Sequence, residues 1–359
     1  MSSLMKKMQK TGFKDVTQRS TGLKEAVENI FGSMAQTSVH AFNIAISGST
    51  KGGVGGGIVT IAGKSKHFKT LFCLLAASAY MEKHKDAICL FYDSEGGANL
   101  SYFEMMGIDT DRVLHIPVEN LEELKFDMVQ KLNDLTEDEH VFILLDSAGN
   151  LASKKELEDA MDEKSVADMT RAKAFKSFYR MVTPILKRLK IPFFQVQHTY
   201  DTMEMFSKET LAGGQGGMLS SDTVLIVGKR MVKDGKDLLG HEFVLKAEKS
   251  RYIKEKSAIP ITVLFEGGLY KHSSIFEWAL ELGYLDAPKV GWYTRPCVEG
   301  DKNWRKKEIE NNADEFFKPI LDNPKFHEEV DSLYALGSKR ELDIDKLDEI
   351  DEMIDNLEE

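Results

Sequence analysis

"GIVTIAGKSKHFKTLFCLLAA", residues 57–77, decides how the rest of the chain is read. Its first seven residues, Gly57 to Gly63, are almost wholly apolar and predict a buried strand. Its end, "KTLFCLLAA", predicts a helix with small apolar residues facing inward. Between them, Gly63, Lys64, Ser65, Lys66, His67, Phe68, Lys69 and Thr70 match the phosphate-loop pattern G-x-x-x-x-G-K-[ST] at every position but one. Phe68 stands where the pattern has glycine. A phosphate loop must follow a buried strand and open a helix, so that amide N–H groups and the helix N-terminus face the anion. The flanking segments supply that context, and Gly56-Gly57 suit a tight turn into the strand. In that setting Lys69 reaches β/γ-phosphates, Thr70 ligates Mg²⁺, and Gly63 through Leu71 form the nucleotide-contacting run. A lysine-rich surface turn would show the same residues, so the loop needs support from elsewhere.

Three other strands offer it. "FILLDSAGN" (142–150) is an apolar strand with Asp146 at its C-terminal tip. In open parallel sheets ligands bind beyond those tips, and Asp146 suits a Mg²⁺-positioning carboxylate. An aspartate ending a strand is also a common turn former. "LFYDSEGG" (90–97) places Asp93 and Glu95 at a second tip, where a glutamate can orient or deprotonate an attacking water. The alternative there is an exposed turn acid. "FFQVQHTYD" (193–201) brings Gln197 and His198 to the same edge, although a lone histidine is more often structural.

Strands and helices alternate from "GIVTIAG" through "HVFILLDSAGN", a helical stretch at about 153–190, and "PFFQVQHTYD". The run then closes with "DTVLIVGKR", "EFVLKAEKSR" and "PITVLFEGG". This pattern predicts an α/β fold with a mostly parallel central sheet turning antiparallel at its end. Residues 22–35 form an amphipathic helix with Leu23, Val27, Ile30 and Phe31 on one face, which must pack on the core or on another subunit. Residues 341–359, "ELDIDKLDEIDEMIDNLEE", read as a solvated acidic tail, or as an autoinhibitory or partner-binding segment. The net charge of −11 argues against a generally basic nucleic-acid-binding surface but leaves room for a local basic channel. Cys73 and Cys89 lie in apolar runs, and with Cys297 far away they read as thiols in a reducing compartment. No apolar run reaches the roughly 18–20 residues needed to span a membrane.

Taken together, "GGVGGGIVTIAGKSKHFKT", "LFYDSEGGANLSYFEMMGID", "FILLDSAGNLASKKELEDA", "MTRAKAFKSFYRMVTP", "QHTYDTMEMFSKETLAGGQGGM" and "EKSRYIKEKS" resemble the RecA-type recombinases, in particular the phage branch typified by UvsX. The resemblance covers most of residues 40–295. It implies a RecA-like P-loop ATPase core over 41–270, an N-terminal oligomerisation segment over 1–40, a small C-terminal domain over 271–338 and an acidic tail over 339–359. Relatives of that branch carry an aromatic in place of the loop's last glycine. Phe68 is therefore expected to need no positive φ and to turn its ring from the phosphates. Glu95 looks like the catalytic glutamate, Tyr102 like the tyrosine that stacks on adenine, and Asp146 like the Walker B aspartate. His198 stands where bacterial RecA has a γ-phosphate-sensing glutamine. Lys249 and Arg251 resemble a basic pair that reaches a neighbour's ATP across a filament interface, with Lys254 and Lys256 as close alternatives.

Two segments resemble the DNA-binding loops. The first follows Asn150 and runs to about Thr170, with Lys154, Lys155, Lys164 and Arg171 in or beside it. The second follows His198 and reaches about Ser221, with Met203, Met205 and Phe206 to wedge between bases and Gly213, Gly214, Gly216 and Gly217 to confer mobility. The expectation is an ATP- and Mg²⁺-dependent recombinase. It would form a homo-oligomeric helical filament on single-stranded DNA and pair it with homologous duplex. Its other partners would be a phage mediator and a single-strand-binding protein, in the host bacterial cytoplasm and without a membrane. A hexameric helicase with the same core is disfavoured because only about 40 residues precede that core. A non-hydrolysing mediator is disfavoured by Glu95 beside Lys69, Thr70 and Asp146. A metabolic P-loop kinase is disfavoured by missing lid arginines and by the two loops.

Overall fold

The computed structural model describes residues 3–11, 21–97, 99–161, 170–201, 209–211 and 215–336. Lys164, Met203, Met205, Phe206, Gly213 and Gly214 lie outside the described residues, as does the acidic tail.

One large sheet organises the chain. Its strands are β1 (Gly57–Gly63), β2 (Ile88–Asp93), β3 (Val113–Pro117), β4 (Val141–Asp146), β5 (Pro192–Asp201), β6 (Glu209–Leu211), β7 (Thr223–Asp234), β8 (Asp237–Ser250), β9 (Ala258–Leu264) and β10 (Gly268–Leu269). The order across it is β10-β9-β8-β7-β1-β5-β4-β2-β3, with β6 added to β5. From β7 to β3 every neighbouring pair is parallel, and from β7 to β10 every pair is antiparallel. The expected change of direction is thus present, and it falls at β7.

The decisive stretch sits at the centre. All seven residues of β1 are buried, because both faces of the sheet are covered. Val59 and Ile61 join one apolar layer with Phe72, Leu75, Phe194 and Val196. Ile58 faces the other layer, with Leu124, Met128, Phe178 and Phe193. The helix Lys69–Lys83 contributes Phe72 to Ala77 to the first layer, so its small residues face inward as the pattern predicts. Cys73 and Cys89 are buried free thiols and Cys297 is an exposed one. Among the described residues no helix is long and apolar enough to cross a membrane.

The N-terminal amphipathic helix forms over Leu23–Ser33 with its apolar face open: Leu23 is 79% exposed, and Val27, Ile30 and Phe31 are exposed as well. Beyond residue 270 the chain makes a second, three-stranded antiparallel sheet, β11 (Asp286–Lys289), β12 (Trp292–Thr294) and β13 (Trp304–Arg305), followed by three helices. Its Trp278, Phe316, Phe317 and Phe326 share an apolar cluster with Phe42 and Phe72 of the main body. Asp331 accepts hydrogen bonds of 2.7 Å from the Ser49 hydroxyl and the Thr50 amide, tying the two parts together.

One buried ion pair pins the small sheet. Arg295 is 7% exposed and donates to both oxygens of Asp301 at 2.7 and 2.9 Å, and to Phe316 O at 2.8 Å. Its guanidinium lies between the rings of Trp304 and Phe316, 5.1 and 4.8 Å from their centres. Burial raises the Asp301 carboxyl pKa, but the bonds from Arg295 and Trp304 outweigh it and hold that pKa at about 2. Asp301→Ala leaves a buried guanidinium uncompensated and should destabilise the fold by about 3–5 kcal/mol. In the parent the pair's contribution is present above the unfolded carboxylate pKa near 3.9 and should fade as pH falls toward about 2. All three tryptophans lie in this region, so urea denaturation followed by tryptophan fluorescence reads both effects directly.

Candidate nucleotide-binding site

The C-terminal ends of β1, β2, β4 and β5 converge on a cleft of about 460 Å³. Ser65, Lys66, His67, Phe68, Lys69, Thr70 and Leu71 line one side of it, and Glu95, Tyr102, Asp146 and His198 the others. Gly63 ends β1 and is not among the lining residues; its φ is 157°, and a side chain there would approach Val227 O to 3.1 Å. Lys64 does not line the cleft, and its carbonyl oxygen accepts a 2.9 Å hydrogen bond from Lys69 Nζ. His67 Nδ1 lies 2.6 Å from Val227 O, which ties the loop to β7.

Phe68 corrects one expectation. It adopts φ 55° and ψ 28°, the left-handed conformation, as the cap before the helix Lys69–Lys83. The chain must turn there from loop into helix, a geometry glycine meets without steric cost. For phenylalanine the cost is about 1–2 kcal/mol. Ring contact with Phe243, 5.0 Å between centres, offsets part of that, since such pairs contribute about 0.5–1.5 kcal/mol.

The polar groups of the cleft are already bonded to one another. Thr70 Oγ1 donates to Asp146 Oδ2 at 2.6 Å. Burial pushes the Asp146 carboxyl up and is only partly opposed by Thr70 and Lys69, while the Glu95 charge adds to the rise. Lys69 is 6% exposed, and burial lowers its ammonium pKa against the pull of Asp146 and Glu95. A buried cation, a hydroxyl and a carboxylate meeting at the start of a helix suit a polyphosphate and its divalent cation: Lys69 for the phosphates, Thr70 and Asp146 for Mg²⁺. Tyr102, half exposed on the helix Leu100–Met105, and Met105, Leu71 and Leu74 give the same cleft an apolar side of the kind a purine needs.

Glu95 is the hub. Its Oε1 accepts from Ser147 Oγ at 2.6 Å and Asn150 Nδ2 at 3.0 Å, and lies 3.0 Å from His198 Nε2. Burial raises its pKa, but bonds from Ser147 and His198 and the Lys69 charge bring it below the ordinary glutamate value. Ser147 and Asn150 were not anticipated: they lie in the "DSAGN" turn, where Asp146 alone drew notice. Asp93 is buried and shapes the turn, its Oδ1 accepting from the amides of Glu95 and Gly96 at 3.0 and 2.8 Å while Oδ2 meets His115. Lys229 of β7 also lines the cleft and was not anticipated.

The remaining expected residues lie elsewhere. β5 continues past His198 to Asp201 and pairs there with β6, so His198 ends the register with β1 but not the strand. Lys154 and Lys155 open the helix Lys154–Met161, which makes part of the first loop helical. Arg171 turns inward, donating to Leu151 O at 2.7 Å and Gly149 O at 2.5 Å. Gly216 and Gly217 belong to the short helix Gln215–Ser220 rather than to an open glycine loop. That helix packs against Thr170–Arg188. Lys249 pairs with Val224 at the start of β7, the opposite end of the sheet from the phosphate loop. Its Nζ donates to Met218 O and Leu219 O at 3.0 and 2.7 Å, and Arg251 Nε lies 3.0 Å from Asp222 Oδ1. Neither residue reaches its own cleft.

The Glu95 environment is measurable. In a carboxyl-carbon NMR titration Glu95 should show its midpoint below that of an exposed glutamate, near 4.3. In His198→Ala the midpoint should rise, because one group that favours the charged form is gone. An unmoved midpoint would show that the 3.0 Å contact carries no energy.

Comparison with known proteins identifies the family of the chain. The family model of the RecA N-terminal domain matches residues 5–270. That of the C-terminal domain of the bacteriophage T4 recombination and repair protein matches residues 272–330. The "Recombination and repair protein" of Enterobacteria phage T4 is 43% identical over 99% of this chain and 92% of its own length. "Protein RecA" of Corynebacterium aurimucosum is 26% identical over 77% of this chain and 70% of its own, and that of Streptomyces rimosus 24% over the same shares. With the two family models matching residues 5–270 and 272–330 and a relative 43% identical over nearly the whole chain, the chain belongs to the RecA family of recombination proteins, in its phage UvsX branch.

Proposed function

We propose that this protein hydrolyses ATP in the cleft, forms a helical filament on single-stranded DNA, and exchanges that strand with homologous duplex. The observation that carries the reading is the Glu95–His198 contact at 3.0 Å. It joins the group suited to activating water to the strand that leads into the second DNA-facing segment. Lys69 supplies fixed positive charge to the phosphates from a buried position. Mg²⁺, when bound, draws charge from the same phosphate oxygens. Glu95, held ionised by Ser147 and His198, takes the proton of the attacking water. Loss of the γ-phosphate changes what His198 faces and so changes the grip on DNA. Residues 41–270 would form this ATPase body, 271–338 an accessory domain and 339–359 a tail. The segment 1–40 would serve assembly, since among the described residues nothing covers the exposed apolar face of Leu23, Val27, Ile30 and Phe31.

ATP turnover with and without single-stranded DNA, paired with negative-stain microscopy, tests the reading. Turnover should rise on adding DNA and helical filaments should be visible. Glu95→Gln should still bind ATP but turn over about 10²–10⁴-fold more slowly, because an amide cannot accept the proton. Loss of ATP binding in that variant would make Glu95 structural.

Lys249 and Arg251 sit at the end of the strands remote from their own cleft, a position suited to a neighbour's phosphates in a head-to-tail filament. Mixing Lys249→Ala subunits with Lys69→Ala subunits, each inactive alone, should then restore part of the turnover, because an intact phosphate loop on one can meet an intact Lys249 on the other. No recovery at any mixing ratio would assign Lys249 to its own subunit alone.

A further inference from the structure

Four polar side chains form a buried hydrogen-bonded line through the centre of the sheet. Tyr179 Oη donates to Gln195 Oε1, Gln195 Nε2 donates to Thr60 Oγ1, and Thr60 Oγ1 meets Ser221 Oγ, each at 2.7 Å. Thr60, Gln195 and Ser221 are 0% exposed and Tyr179 is 1% exposed. Their neighbours along the strands are apolar: Ile58, Ile61, Phe193 and Phe194. Threonine and glutamine at mid-strand in such a layer are costly if left unmatched, about 1–3 kcal/mol per group. An aliphatic pair would fill the same space without that risk, so the line calls for a reason beyond packing.

Its four anchors give one. Thr60 and Gln195 are register partners on adjacent strands, each three residues before a functional group: Gly63, which opens the phosphate loop, and His198. Ser221 follows the helix Gln215–Ser220, at the exit of the second DNA-facing segment. Tyr179 lies midway along the helix Thr170–Arg188, which leads away from the first. The line therefore begins on the helix that follows one DNA-facing segment, crosses both nucleotide-side strands and ends at the exit of the other. Apolar contacts are non-directional and tolerate sliding. A saturated chain of hydrogen bonds admits one relative placement of its members.

We propose that Tyr179, Gln195, Thr60 and Ser221 are positioning residues that hold the helix following the first DNA-facing segment and the exit of the second in register with the strands carrying the phosphate loop and His198, and so couple DNA binding to ATP turnover. The proposal rests on the function proposed above. It concerns coupling, not chemistry, as none of the four lines the cleft.

The test uses the full-length protein with poly(dT) as the DNA probe. Thr60→Val keeps the shape of the side chain and removes the hydroxyl that serves both neighbours. Tyr179→Phe removes only the terminal donor and guards against a fold failure in the first variant. In each, turnover without DNA and KM for ATP should stay near parent values. The stimulation by DNA should fall about three- to tenfold, within the range that residues bearing on coupling produce. Thr60→Ser, which restores a hydroxyl, should recover most of the stimulation. Variants that lose thermal stability yet keep the parent stimulation ratio would make the line purely structural and overturn the proposal. If the parent itself shows no stimulation by DNA, the recombinase reading fails and takes this one with it. Stimulation in the parent with unchanged ratios in both variants refutes the positioning role alone.

Discussion

Burial of both faces of the parallel sheet is the constraint from which the site follows. A strand covered on two sides has few places for a charge, so reactive groups are driven to strand ends, where the backbone is released to loops and helices. Gly63, Asp93, Asp146 and His198 each sit at or next to the last sheet position of their strand register. The cleft is then an outcome of strand order: β1, β5, β4 and β2 are consecutive neighbours, and their tips form one continuous rim.

Within that rim two carboxylates are given different characters by their surroundings. Burial dominates at Asp146 and makes its proton harder to lose, with Thr70 as a hydroxyl partner. At Glu95 the donors dominate and keep the group ionised. Carboxylates pushed in opposite directions differ in proton affinity, so the two groups are not interchangeable. The partners that keep Glu95 ionised come from β4's turn and from β5, so its state depends on two strands other than its own.

Much of this was legible in the chain because it is local. The apolar run of Gly57–Gly63, the helix opening "KTLFCLLAA" and the acids ending β2 and β4 are each contained in a dozen residues or fewer of pattern. The second class of feature is not local. Ser147 and Asn150 bond to Glu95 across more than fifty residues of sequence, and only the adjacency of β2 and β4 brings them together. The left-handed Phe68 depends on the angle between loop and helix, and on Phe243 being present to receive its ring. The helix at Lys154–Met161 shows a further limit: an expectation of helix over about 153–190 and of a loop to Thr170 competed for the same residues. The helical period prevailed up to Met161.

The pairing of Gly63 with His198 carries a mechanical consequence. Adjacent parallel strands are locked by evenly spaced backbone hydrogen bonds from Gly57↔Pro192 through to that final pair, so neither tip can slide past the other without breaking the whole ladder. At this rim the His198 imidazole can turn about its own side-chain bonds while the backbone stays a fixed frame. A change of that kind takes place on the time scale of rotamer exchange, far faster than domain movement.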